Sequence, residues 1–107
     1  MKLLPHRNSA ILALMFEKIL QLLREAVENQ LTIFTPHAQI EMNEDDLFTF
    51  DLEHCVLVGT IVERQKDDSF KEWKYLIEGE STDQEPMMVS VKLDYKGSIV
   101  FITTYRI

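Results

Sequence analysis

The stretch "DLEHCVLVGTIVE", residues 51–63, changes its hydrophobic period in the middle, and that change decides the fold class. Up to Val58, apolar residues such as Leu52, Cys55 and Val56 recur at three- and four-residue steps, the repeat of one helix face. Beyond Gly59 the pattern turns to alternation, the repeat of a strand whose successive side chains point to opposite faces. A helix is therefore predicted over 49–58, with Gly59 as its C-terminal cap and with Asp51 and Glu53 near its positive N-terminal end. Cys55 falls on the core-facing side of that helix and reads as a small buried apolar residue, not as a nucleophile.

Toward the C-terminus, strands are predicted over 60–65, 73–78, 87–94 and 98–106. The loops "QKDDSFKE" and "EGESTDQEP" and the turn "DYKGS" connect them. The last strand, "SIVFITTYR", is apolar on both faces in its first half, as a central or doubly covered strand is. Toward the N-terminus, Leu12, Met15, Phe16, Ile19, Leu22, Leu23, Ala26 and Val27 mark a long helix over 9–29. Asn8 or Ser9 would cap its start, and Asn29 would take a left-handed conformation at its end. Its first turns, from Ala10 to Leu14, are apolar nearly all round, which predicts a partner there, most simply a second copy of the chain. A further helix starts after Thr35, with Pro36 at the first helical position, and ends near Glu44 or Asp45.

At 107 residues and 46% hydrophobic, the chain suits one domain with one core. The net charge is −7, and no Lys or Arg occurs between Arg24 and Arg64, an interval rich in Asp and Glu. Such a balance gives no general attraction to phosphate backbones, so nucleic-acid binding would need a local basic face. The N-terminal apolar run is too short for a bilayer span and lacks a small-residue cleavage site, and a single cysteine fits a reducing interior; a cytoplasmic protein is expected.

Chemistry-bearing residues gather in two places. In "TPHAQIEM", His37 opens a helix and shares a face with Glu41 and Glu44, the arrangement of a carboxylate-oriented acid–base histidine or of a histidine that merely fixes the helix start. His6 and His54 have no helical register with it, so no metal site is expected. At the other end stand Thr103, Thr104, Tyr105 and Arg106. Arg and Tyr suit a transferring phosphoryl group, and with His37 they suggest metal-independent RNA cleavage, with Arg64 or Lys74 holding phosphate. Strand ends often carry Tyr and Arg, half buried, without any such role, and that reading is favoured unless His37 lies close to them. No Gly-rich phosphate loop, paired-cysteine zinc spacing or nucleophile elbow occurs.

"TPHAQIEM", "DLEHCVLVGTIVE", "KYLIEGE", "PMMVSVKLD" and "SIVFITTYRI" together resemble the family termed domain of unknown function 4258, over about 33–107. That family is similar in turn to the RelE/ParE toxin fold, in which metal-independent ribonucleases are common. The resemblance implies that His37, Tyr105 and Arg106 are its functional positions. Glu41 and Asp45 stand where the family commonly has Arg, and Met88 stands where it often has His, so the phosphate site it implies loses two cations and an imidazole.

The sequence thus predicts a single α+β domain over 1–107: a long N-terminal helix extension (1–32), then two short helices and a four-stranded, mostly antiparallel sheet (33–107), with the helices on one face. Two functions follow. One is a toxin-fold ribonuclease of a toxin–antitoxin pair, with His37, Tyr105 and Arg106 catalytic and Glu41, Arg64 and Lys74 binding. The other is a non-catalytic protein-binding module on the same fold. Neither needs a cofactor, a metal or a membrane; the partners expected are RNA, an antitoxin-like protein or a second copy.

Overall fold

The computed structural model describes residues 6–67 and 72–107. Three helices, α1 (His6–Glu28), α2 (Pro36–Glu44) and α3 (Thr49–Val58), accompany five strands: β1 (Thr32–Phe34), β2 (Thr60–Asp67), β3 (Glu72–Glu80), β4 (Pro86–Leu93) and β5 (Ile99–Arg106). The sheet order is β1-β5-β4-β3-β2. Strands β2 to β5 form an antiparallel meander, and β1 adds to β5 in parallel, with Thr32 opposite Ile99 and Phe34 opposite Phe101. The sheet therefore has five strands and not the four that alternation predicts. Three residues are too few to show a period, and β1 is defined only by a partner at the far end of the chain.

Helix α1 is already formed at His6, so the backbone of Asn8 and Ser9, expected at its start, lies within it. At its end Gln30, not Asn29, takes the left-handed conformation (φ 62°). There the Gln30 N–H donates to the Val27 carbonyl and the Leu31 N–H to the Ala26 carbonyl, the paired bonds of a Schellman end. The loop expected over 65–72 lies partly outside the described residues.

Gly59 ends α3 as predicted, but not by adopting a positive φ; its backbone is extended (φ −88°, ψ −173°). The requirement is space. A Cβ at Gly59 would lie 2.5 Å from the Cys55 carbonyl oxygen and 2.6 Å from that of Glu78. One at Gly79 would lie 2.7 Å from the same Cys55 oxygen and 3.1 Å from the Gly59 Cα. The two glycines let the last turn of α3 sit directly on β3. From the other side, the Arg24 guanidinium of α1 donates to the carbonyls of Val56 (3.0 Å) and Gly59 (2.8 Å). It satisfies groups the α3 terminus leaves unpaired and places a cation at the negative end of the helix dipole.

The core forms around this contact. Leu52, Cys55 and Val56 of α3 meet Tyr75 and Ile77 of β3 and Met87, Val89 and Val91 of β4, with Leu20, Leu23, Ala26 and Val27 of α1 beside them. Each fully buried aliphatic side chain contributes about 1.5–3 kcal/mol. Cys55 is wholly buried, and burial pushes its thiol up to about 12. The first half of β5 is central, as its double-faced apolarity predicts: Ile99, Val100 and Phe101 are buried, and Phe101 stacks on Phe34 of β1 at 4.8 Å.

The start of α3 is tied to the β3–β4 turn through Asp51. One carboxylate oxygen accepts the Phe48 N–H (2.9 Å); the other accepts the Thr82 N–H (3.0 Å) and hydroxyl (2.7 Å). Burial alone would raise the Asp51 carboxyl, but these hydrogen bonds and the nearby Arg106 charge outweigh it and hold it below its ordinary value.

Gly59→Ala and Gly79→Ala are each expected to destabilise the fold by about 1–3 kcal/mol or more, read as a lower urea midpoint. A carboxyl depressed in the folded state contributes stability above its unfolded value of about 3.9, and that contribution is lost as pH falls through the folded value. Urea midpoints of the wild type and Asp51→Asn should therefore differ most at neutral pH and converge as the pH falls through the depressed folded value of Asp51.

Candidate functional site

Strand β1 stops at Phe34, so the outer edge of β5 beyond Phe101 has no strand beside it. Helix α2 takes its place. Thr35, the N-cap, accepts the Ala38 N–H with its hydroxyl oxygen (3.1 Å), donates that hydroxyl to the Ile102 carbonyl (3.2 Å), and donates its own N–H to the Phe101 carbonyl (3.1 Å). Further along, the Thr104 N–H donates to Glu41 (3.0 Å) and the Arg106 N–H to Asp45 (2.9 Å). The spacing has a geometric reason. Four residues of helix rise about 6 Å. Two residues of strand rise about 6.6 Å. Carboxylates at i and i+4 on α2 therefore match alternate edge N–H groups of β5. Such charge-assisted bonds are stronger than neutral ones, and they close an edge that would otherwise be open for pairing.

The predicted site residues distribute around this edge. His37 lies in the first turn of α2 with its side chain 67% exposed, and its Nε2 is 3.3 Å from the second oxygen of Glu41. Glu41 thus bridges the imidazole and the Thr104 backbone. Arg106 is turned toward the C-terminal end of α2: Nε donates to the Asp45 carbonyl (2.8 Å), one Nη to that of Asp46 (3.2 Å), and the other lies 3.6 Å from Glu85. Its guanidinium is occupied as a helix cap.

Tyr105 points to the other side of the sheet. It pairs with Met88, and Thr103 pairs with Ser90, which pairs with Leu76. These residues, with Lys74 and Gln65, line a groove of about 160 Å³ on the face away from α3. Lys74 and Tyr105 therefore share one groove, whereas Arg64 does not join them. Arg64 pairs with Tyr75 and lies over the Trp73 ring at 4.1 Å, on the helix-covered side. No hydrogen bond among the described residues joins His37 to Tyr105 or Arg106, and the last two project from opposite faces. No group of three or more His, Cys, Asp or Glu among the described residues is placed to hold a metal.

Residues 34–106 match the family described as a domain of unknown function (DUF4258). The chain belongs to this family. No curated protein and no solved structure gives a significant match. The matched stretch of the DUF4258 domain holds the α2–β5 edge and the sheet-face groove. It begins after most of β1 and leaves α1 out, although Arg24 of α1 caps α3. No helix among the described residues is long and apolar enough to cross a membrane.

Sequence reading missed two residues at this site. Asp45, seen only as an anion in a phosphate position, binds the strand backbone. Ser90, at an outward position of an alternating strand, is 7% exposed, because neighbouring side chains close over it. The one available signal was the i, i+4 spacing of Glu41 and Asp45.

Glu41→Ala and Asp45→Ala are each expected to cost about 1–3 kcal/mol. In a hydrogen-exchange experiment each should selectively accelerate its own amide, Thr104 or Arg106, before the rest of the sheet opens.

Proposed function

We propose that the chain is a non-catalytic protein-binding module of its family, using the outward side of α1 as its contact face and a second copy of itself as its first partner. The observation that carries this reading is a stripe on α1. Ile11, Leu14, Met15 and Leu22 are 49%, 67%, 38% and 46% exposed and recur at helical spacing on the side away from Leu20, Leu23 and Val27. Apolar side chains grouped in this way favour a protein surface over water. A second support is the engagement of Arg106, Glu41 and Asp45 with backbone groups, which leaves them little freedom to serve a phosphate. The setting proposed is cytoplasmic, in keeping with a lone buried cysteine.

The second reading is a RelE/ParE-like ribonuclease, favoured by an exposed His37 held by Glu41. In it His37 would be general acid or base, with Tyr105 near the scissile phosphate.

Sedimentation equilibrium and an RNA-cleavage assay separate the two. The first reading expects concentration-dependent dimers, weakened at least about tenfold by Leu14→Glu with an unchanged melting temperature, and no cleavage of varied RNAs. A wild type that stays monomeric at high concentration rejects self-association. RNA cleavage that falls about 100-fold or more in His37→Ala, at equal folded fraction, installs the ribonuclease in its place.

A further inference from the structure

The groove on the open sheet face carries an inference that goes beyond the α1 reading and survives its failure. The Ser90 hydroxyl oxygen is the one buried side-chain polar atom among the described residues with no hydrogen-bond partner. Ser90 is only 7% exposed and lines the groove. A buried hydroxyl without a partner is unfavourable and is retained where something else satisfies it.

Its surroundings define what that something is. Thr103 and Tyr105 bring two more hydroxyls, and Lys74 brings an ammonium group that makes no ion pair among the described residues. Leu76 and Met88 supply an apolar floor. One cation and three hydroxyl donors match a single negative charge with several acceptor sites. The space, about 160 Å³, is that of one small ring: a cavity of about 150 Å³ holds benzene. Glu63 and Glu78 pair with Leu76 and Met88 on the same face, and their charges oppose an extended polyanion laid across it.

We propose that this groove binds a small organic carboxylate, its carboxylate on Ser90, Thr103 and Lys74, its apolar body on Leu76 and Met88, and Tyr105 at the mouth. The test is an amide NMR titration of the full chain with sodium benzoate at constant ionic strength, with sodium chloride and neutral benzamide as controls. Saturable shifts are expected at the amides of Lys74, Leu76, Met88, Ser90 and Thr103, with a Kd on the order of 1 mM, the range open to a ligand this small. Lys74→Gln should weaken binding about tenfold and Ser90→Ala about fivefold. Both variants should melt no more than a few degrees below the wild type, and benzamide should bind at least about tenfold more weakly than benzoate. Shifts that do not saturate or that sodium chloride reproduces, unchanged affinity in both variants, or equal affinity for benzamide would overturn the proposal.

Discussion

The outer edge of β5 is the constraint from which the rest of the arrangement follows. Backbone N–H and C=O groups that leave water must find partners, and β1 offers only three residues of strand to a partner of eight. The remaining edge is completed by side chains from α2, and this works because a helical i, i+4 pair and a strand i, i+2 pair have nearly the same rise. Thr35, Glu41 and Asp45 therefore fix the direction, the position and the register of α2 at once. The helix behaves as an unzipped sixth strand built from side chains.

That solution decides which groups remain available for function. Arg106 caps the end of α2, so the same residue closes the strand edge through its N–H and the helix end through its guanidinium. Arg24 does the equivalent for α3. Arg106, which the sequence reading set near a phosphate, and Arg24 are thereby both engaged at helix termini. The groups left facing solvent are His37, beside Glu41 at the strand edge, and Lys74 and Tyr105, in the groove on the open sheet face.

The switch of period at Gly59 was enough to read α3, the start of the meander and the core side of Leu52, Cys55 and Val56, because each rests on a local hydrophobic period, helical before Gly59 and alternating after it. Gly59 itself was read correctly for a different reason. Its need for glycine comes from the carbonyls of Cys55 and Glu78, and the second of these is a contact with another strand that no local pattern records. The same holds for β1, which exists only against β5, and for Gln30, which takes the left-handed position because the Schellman bonds place it one residue after Asn29. Glu41 and Asp45 were visible as acids on one helix face, but their partners are backbone amides about sixty residues away, and backbone amides have no signature in sequence. Ser90 was hidden by the rule that served elsewhere: alternation gives the direction of a side chain, not how far its neighbours close over it.

The charge distribution then argues for what the open face would accept. With a formal charge of −7, the chain repels a polyanion at long range, and a nucleic-acid surface would have to overcome that with a continuous basic strip. Among the described residues, most cations near the sheet and the helix ends are engaged one by one. Arg64 and Lys66 lie over the Trp73 ring, Lys92 contacts Glu72, and Arg24 and Arg106 hold helix ends. Lys74 stands in a groove with hydroxyl donors and an apolar floor, where a single charge acts at short range and through hydrogen bonds. Recognition of that kind depends on local geometry more than on net charge, and it is the form of anion binding that an acidic domain can sustain.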